Sequence, residues 1–177
     1  MRLAAVVMAG GSALRMGGVV KPLLPVCGVP MIVRVLSALS PIADSVVVAT
    51  SPSTTPFLKG VCSLLRPDSC IELAGSSYPA DMRLASLIIT KRPLLFVPAD
   101  TPLLTSGVLE GFVKASLRMG KGLVTLLGRS GPVGISILLD HFNPWSNITL
   151  SDDSSLFNVN TWSDYVRANR LCSMQRS

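Results

Sequence analysis

Charge is scarce in this sequence: only 15% of its 177 residues are Asp, Glu, Lys or Arg, against 49% hydrophobic ones. So apolar a chain is not a disordered one. Histidine is scarcer still, with His141 alone, and Cys27, Cys62, Cys70 and Cys172 include no C-x-x-C pair. The spacing of a structural zinc site is therefore missing. The four cysteines read as thiols, small buried hydrophobes in a reducing cytosol, and the expected location is cytoplasmic. Aromatic residues amount to 5%, too few for the stacking platforms of single-strand binders. The net charge of +6 suits an anionic partner, but the basic residues stand singly apart from Lys91-Arg92, so no nucleic-acid partner is expected. No apolar run approaches the ~20 residues of a spanning helix. The run after Arg2 is at the lower limit for a secretory leader, and cleavage behind it would destroy the segment that matters most. A G-x-S-x-G elbow is also missing, as is a cysteine with a nearby histidine, so no protein nucleophile is in evidence.

That segment is Ala9 to Lys21, A-G-G-S-A-L-R-M-G-G-V-V-K. An apolar run over 3–8, of the length of a buried strand, leads into it. Pro22, Pro25, Gly28 and Pro30 follow, so a helix cannot start directly behind the glycines and the strand empties into a long loop. Gly10, Gly11, Gly17 and Gly18 allow close approach of backbone N–H groups to an anion. Arg15 and Lys21 add two cations, and a triphosphate is the expected guest. G-x-G-x-x-G and G-K-[ST] are both absent, so the loop is neither a dinucleotide fingerprint nor a Walker A loop.

Further along, hydrophobic spacing predicts a helix over 30–40, a strand over 45–50 and a polar loop over 50–56 that opens a helix ending near 65. Thr50 and Ser51 fall on the rim of the glycine loop, either as ligand contacts or as caps of the next helix. A short strand over 70–74 precedes Gly75 and a helix over 79–90, with Asp81 near its N-terminus as ordinary dipole chemistry. Strands are expected over 93–98, 123–127, 133–139 and 156–161, and helices over 106–119 and 163–172. Residues 141–150 read as irregular. Of the ten carboxylates, only Asp100 leaves a central apolar strand at its carboxyl end, where a metal ligand would face a triphosphate. Alternating strands and helices without linker or repeat give one α/β domain with a mostly parallel sheet.

A-G-G-x3-R-M-G-G-V-x-K-P resembles the signature loop of the nucleotidyltransferases related to molybdopterin-guanine-dinucleotide synthases. Continued as R-M-G-G-V-V-K-P-L-L-P-V-C-G, it is most similar to the archaeal GTP:adenosylcobinamide-phosphate guanylyltransferases. T-S-P-x-T at 50–54, G-x-x-Y-x-x-D at 75–81, D-T-P at 100–102, P-V-G-I-S at 132–136 and N-x-N-T at 158–161 extend the likeness. The resemblance implies a three-layer Rossmann-like nucleotidyltransferase fold over 1–177. It also implies GTP as donor, adenosylcobinamide phosphate as acceptor and Mg²⁺ held by Asp100 and Asn160. Arg15 and Lys21 would neutralise the phosphates, with Ala9, Gly10, Gly11, Gly17, Gly18, Thr50, Ser51 and Gly75 around the nucleotide. Ser136 stands where these enzymes often carry asparagine, and Asn158 and Asn160 could equally satisfy loop backbone. Molybdopterin or a sugar or polyol phosphate as acceptor, a GTP-binding module without turnover, and a homodimer remain open.

Overall fold

Leu3 to Val7 are buried on both faces, which only a strand sandwiched between two layers requires. The computed structural model describes residues 3–11, 16–64, 69–129, 131–150 and 154–174. In chain order the strands are β1 (Ala4–Met8), β2 (Pro25–Val26), β3 (Val29–Pro30), β4 (Ser45–Thr50), β5 (Cys70–Glu72), β6 (Leu94–Pro98), β7 (Leu123–Gly128), β8 (Gly131–Leu138) and β9 (Trp145–Thr149). The helices are α1 (Met31–Leu39), α2 (Thr55–Leu64), α3 (Tyr78–Ile88), α4 (Ser106–Met119) and α5 (Trp162–Met174).

Seven strands form one sheet in the order β5-β4-β1-β6-β8-β7-β9, in which only β8 runs against its neighbours. Side chains alternate across it. Leu3, Ala5 and Val7 pack with Ile32 and Leu39 of α1, Leu58 of α2 and Phe112 of α4. Ala4 and Val6 pack with Met82 and Ala85 of α3. The connections explain this split. From β1 the chain steps outward through α1 and α2 to β4 and β5, so both helices share a face. It then returns through α3 to β6, and a crossover of the same hand must use the other face. α3 thus begins beneath the carboxyl ends of the central strands. α4 also runs back across the sheet yet packs with α1, so its crossover has the opposite hand. The result is a single α/β domain with a mostly parallel sheet. No helix among the described residues is long and apolar enough to cross a membrane.

Three expectations are corrected. The stretch behind the glycines is not wholly irregular: a 3-10 turn, Lys21–Leu23, starts there with Pro22 in its first turn, where a missing N–H costs nothing. The small β2–β3 hairpin follows. Residues 145–149, read as irregular, form β9, because Trp145 to Thr149 pair with β7 along its length. Residues 156–161, expected as a strand, have no ladder; Val159 N–H donates to Asp100 O at 2.9 Å and pins them beside the end of β6.

The cysteine reading is corrected as well. Cys27 pairs with Cys172, and Cys62 with Cys70, as disulfides with Cα separations of 6.3 and 5.8 Å. Folding brings α5 against the β2–β3 hairpin and α2 against β5, a closeness that sequence spacing of 145 and 8 residues does not reveal.

Candidate active site

Beyond the carboxyl ends of β1 and β6 lies a cleft of about 410 Å³, a volume ordinary for a small-molecule site. Ala9, Gly10 and Gly11, leaving β1, form one wall, and Gly75 to Tyr78 form another. Lys21, Asp100 and Asn160 close the charged end. Seventy-nine residues separate Lys21 from Asp100, yet its ammonium lies 2.8 Å from Asp100 Oδ2. The same Nζ donates to Val159 O at 3.1 Å and to Asn160 Oδ1 at 3.2 Å.

Local structure builds this oxygen cage. The 3-10 turn aims Lys21 inward, and β6 delivers Asp100. Asp164, in the first turn of α5, accepts from the N–H groups of Asn160 and Thr161 at 3.1 and 2.9 Å. That reciprocal capping orients the Asn160 side chain. Asn158 Nδ2 donates to Asp100 Oδ1 at 3.2 Å, so both oxygens of this carboxylate are held. Tyr78 stands beneath the cleft, its hydroxyl donating to Gly134 O. Burial, with the charge of Asp100, pushes its phenol well above the ordinary range, so Tyr78 stays neutral.

The expected residues divide into those gathered at the cleft and those turned from it. Ala9, Gly10, Gly11, Lys21, Gly75, Asp100 and Asn160 all line it. The Ala9 N–H, however, is spent on Ala49 O at 2.7 Å. Gly17 and Gly18 are exposed and lie off the cleft. Arg15 lies outside the described residues. Thr50 Oγ1 pairs with Thr55 Oγ1 at 2.8 Å, and Ser51 Oγ with Ser53 Oγ at 2.9 Å. Those hydroxyls close their own loop at the start of α2 and do not line the cleft. Ser136 is buried in the sheet, its hydroxyl 3.0 Å from Thr125 Oγ1.

Two side chains gain a place that their local sequence did not signal. Asn158 read as loop backbone chemistry and Asp81 as a helix-end charge; Asn158 joins the site by donating to Asp100, 58 residues away, and Asp81 by lining the cleft. The G-x-x-Y-x-x-D spacing was the one sign for Asp81.

Comparison with known proteins bears on the family and the fold. Residues 5–133 match the family model described as a MobA-like NTP transferase domain. The adenosylcobinamide-phosphate guanylyltransferase of Methanocaldococcus jannaschii is 26% identical over 189 aligned positions, covering 94% of this chain and 96% of that protein. Among solved structures, molybdopterin-guanine dinucleotide biosynthesis protein A from Archaeoglobus fulgidus superposes with a TM-score of 0.72 at 17% identity, over 97% of this chain and 99% of that one. The Mycobacterium tuberculosis protein Rv0371C, in complex with manganese, does so with a TM-score of 0.68 at 14% identity, over 96% and 99%. With nearly three quarters of its length inside the family model, the chain belongs to the MobA-like NTP transferases and is a nucleotidyltransferase by family.

Proposed function

We propose that the protein moves GMP from GTP to adenosylcobinamide phosphate, giving adenosylcobinamide-GDP and pyrophosphate. The observation that carries this reading is the meeting of Gly10, Gly11, Lys21, Asp100 and Asn160 around one cleft at the strand ends. The choice of donor and acceptor is supported by the named activity of the Methanocaldococcus jannaschii relative and by the likeness of R-M-G-G-V-V-K-P.

An oxygen of the acceptor's phosphate attacks the α-phosphorus. The new P–O bond forms as the bond to the β-phosphate oxygen breaks, and pyrophosphate leaves with the electron pair. No protein nucleophile is needed; the protein aligns the groups and neutralises their charge. Backbone N–H groups at Gly10 and Gly11 suit a phosphate oxygen. Lys21, on a flexible stem with a compact charge, neutralises the polyphosphate, and Arg15 is proposed as a second cation on it.

The residues also fit a divalent ion. Asp100 Oδ2, Asn160 Oδ1 and the Val159 carbonyl already surround one cation, the Lys21 ammonium. One carboxylate with neutral oxygens suits Mg²⁺, and Asp100, Asn160 and the Val159 carbonyl would hold it. The manganese complex of the Mycobacterium tuberculosis neighbour supports a divalent cation of this kind. When bound, it would offset charge on the phosphates.

Pyrophosphate release tests the reading, with GTP, ATP and CTP each paired with adenosylcobinamide phosphate, molybdopterin and a sugar or polyol phosphate. Release with GTP and adenosylcobinamide phosphate alone is expected. Release with another acceptor would move the protein to a different branch of the family. Tight GTP binding with no release in any pairing would make it a nucleotide-binding module.

A further inference from the structure

Asp81 is a carboxylate on the wall of the cleft that the chemistry at Lys21 and Asp100 does not use. Its residue surface is only 6% exposed. Oδ1 accepts from the Gly75 N–H at 3.1 Å. The other oxygen has no partner among the described residues, yet it is not sealed off, because no unpartnered side-chain oxygen there is fully enclosed. Asp81 itself lines the cleft. The position is firmly held. Gly75 has φ +68°, and a Cβ there would lie 2.7 Å from Ser51 Cβ, so the loop packs closely against the residue that follows β4. Asp81 N–H donates to Ser77 O at 2.9 Å, in the first turn of α3, where the helix dipole favours a negative charge.

We propose that Asp81 is the residue that selects the base, its carboxylate accepting from the N1–H and 2-amino edge of guanine. This rests on the GTP-donor reading above. A carboxylate repels phosphate, so the polyphosphate belongs with Lys21 and the neutral nucleoside is left to the Asp81 wall. Covering a nearly buried carboxylate strips its remaining water, which a bound base must replace with donors. Guanine presents two adjacent donors. Adenine and cytosine present a ring acceptor beside their amino group, which would face the carboxylate with like partial charge. Uracil presents one donor between two carbonyls. Sites that demand a donor reject analogues lacking it far better than apolar pockets reject a misfit.

Asp81→Asn is the informative substitution, because its Oδ1 still accepts from Gly75. Its amide N–H₂ repels the 2-amino group of guanine but donates to the 2-carbonyl of xanthine. Calorimetry would compare parent and variant with GTP, ATP, CTP, ITP, xanthosine triphosphate and 2′-deoxyGTP. The parent should bind GTP about tenfold to a hundredfold more tightly than ITP, which lacks the 2-amino group, as expected for a hydrogen bond to a charged acceptor. Asp81→Asn should lose GTP affinity by a similar factor and gain affinity for xanthosine triphosphate, a gain that also reports a folded variant. The ratio of GTP to 2′-deoxyGTP should stay as in the parent. A variant that bound GTP like the parent would overturn the assignment and leave the donor reading standing. So would a collapse of the deoxyGTP ratio, which would put the carboxylate on the ribose. A parent that bound ATP or CTP better than GTP would remove the donor reading and the base assignment together.

Discussion

At Lys21 one ammonium meets a carboxylate, an amide oxygen and a backbone carbonyl, so the charged end of the cleft is balanced before nucleotide arrives. The pair with Asp100 is partly shielded, with side-chain exposures of 15% and 18%. Two opposed effects of removing it follow. Lys21→Ala should lower kcat/KM for GTP at least tenfold, the loss of one charge-assisted phosphate contact. It should also strengthen Mn²⁺ binding without nucleotide, because no ammonium competes for Asp100; spectroscopic titration of the ion reads this directly. Asp100→Asn should lower kcat strongly with little change in GTP affinity. Lys21→Ala with parent-like turnover, or Asp100→Asn with parent-like kcat and magnesium dependence, would sink the respective role. Asp100 and the first two glycines were legible in the sequence because they sit where a strand ends, and Lys21 because it is a cation that closes the glycine loop. Asn160 was legible only through N-x-N-T. The hydroxyls of Thr50 and Ser51 were ambiguous for a physical reason: short side chains bond to their own loop more readily than to a ligand. Asn158 gave no local signal, since its partners are Asp100 and Val133.

Among the elements, those with strong period were read well. The helix over 106–119 begins at Thr105, whose hydroxyl accepts from Val108 N–H, and ends at Gly120 in the left-handed region, as the sequence signals required. β9 was missed because its burial alternates weakly and Trp145 and Thr149 are exposed; an edge strand with one paired neighbour carries little hydrophobic pattern. It is held at its start by Gly122, at φ +89°, where a Cβ would run into Pro144 O. Gly122→Ala should therefore lower the melting temperature by several degrees, since backbone must move on both sides. The Asp140 carboxylate accepts from the N–H groups of Gly122 and His141, each at 2.6 Å. Those two donors, Gly122 first, hold it below the usual carboxylate range. Its contribution is thus complete above the unfolded-state value near 4, and is lost as pH falls through the lower folded value. Melting curves of parent and Asp140→Asn should differ at pH 7 and converge in acid. A gap that did not change with pH would show that the charge has no part in holding Gly122.

For the molecule as a whole, the C-terminal helix ties the segment behind Lys21 to the rest of the fold. Tyr165 of α5 donates to Pro25 O at 2.8 Å, and Asn169 Oδ1 accepts from Cys27 N–H at 2.9 Å. The Cys27–Cys172 bond closes this contact across 145 residues. The hairpin so clamped follows the turn that carries Lys21, and the same helix caps the segment that carries Asn160. Lys21 and its partner Asn160 therefore both depend on where α5 sits. A cross-link of such span restricts the unfolded chain, and roughly 2–4 kcal/mol is typical. For a chain of this length that is on the order of 5–15 °C in melting temperature. The Cys62–Cys70 bond spans only 8 residues and should contribute less. Mass spectrometry after alkylation should find no free thiol before reduction and four after it. The Cys27→Ser, Cys172→Ser double variant should melt lower by about the stated amount and show a raised KM for GTP, because Lys21 and Asn160 are less firmly placed. The Cys62→Ser, Cys70→Ser variant should change KM little, since that bond lies by α2 and β5, away from the charged end of the cleft. Four alkylated thiols in the unreduced protein would restore the thiol reading, and a parent-like KM in the first variant would remove α5 from the placement of the site.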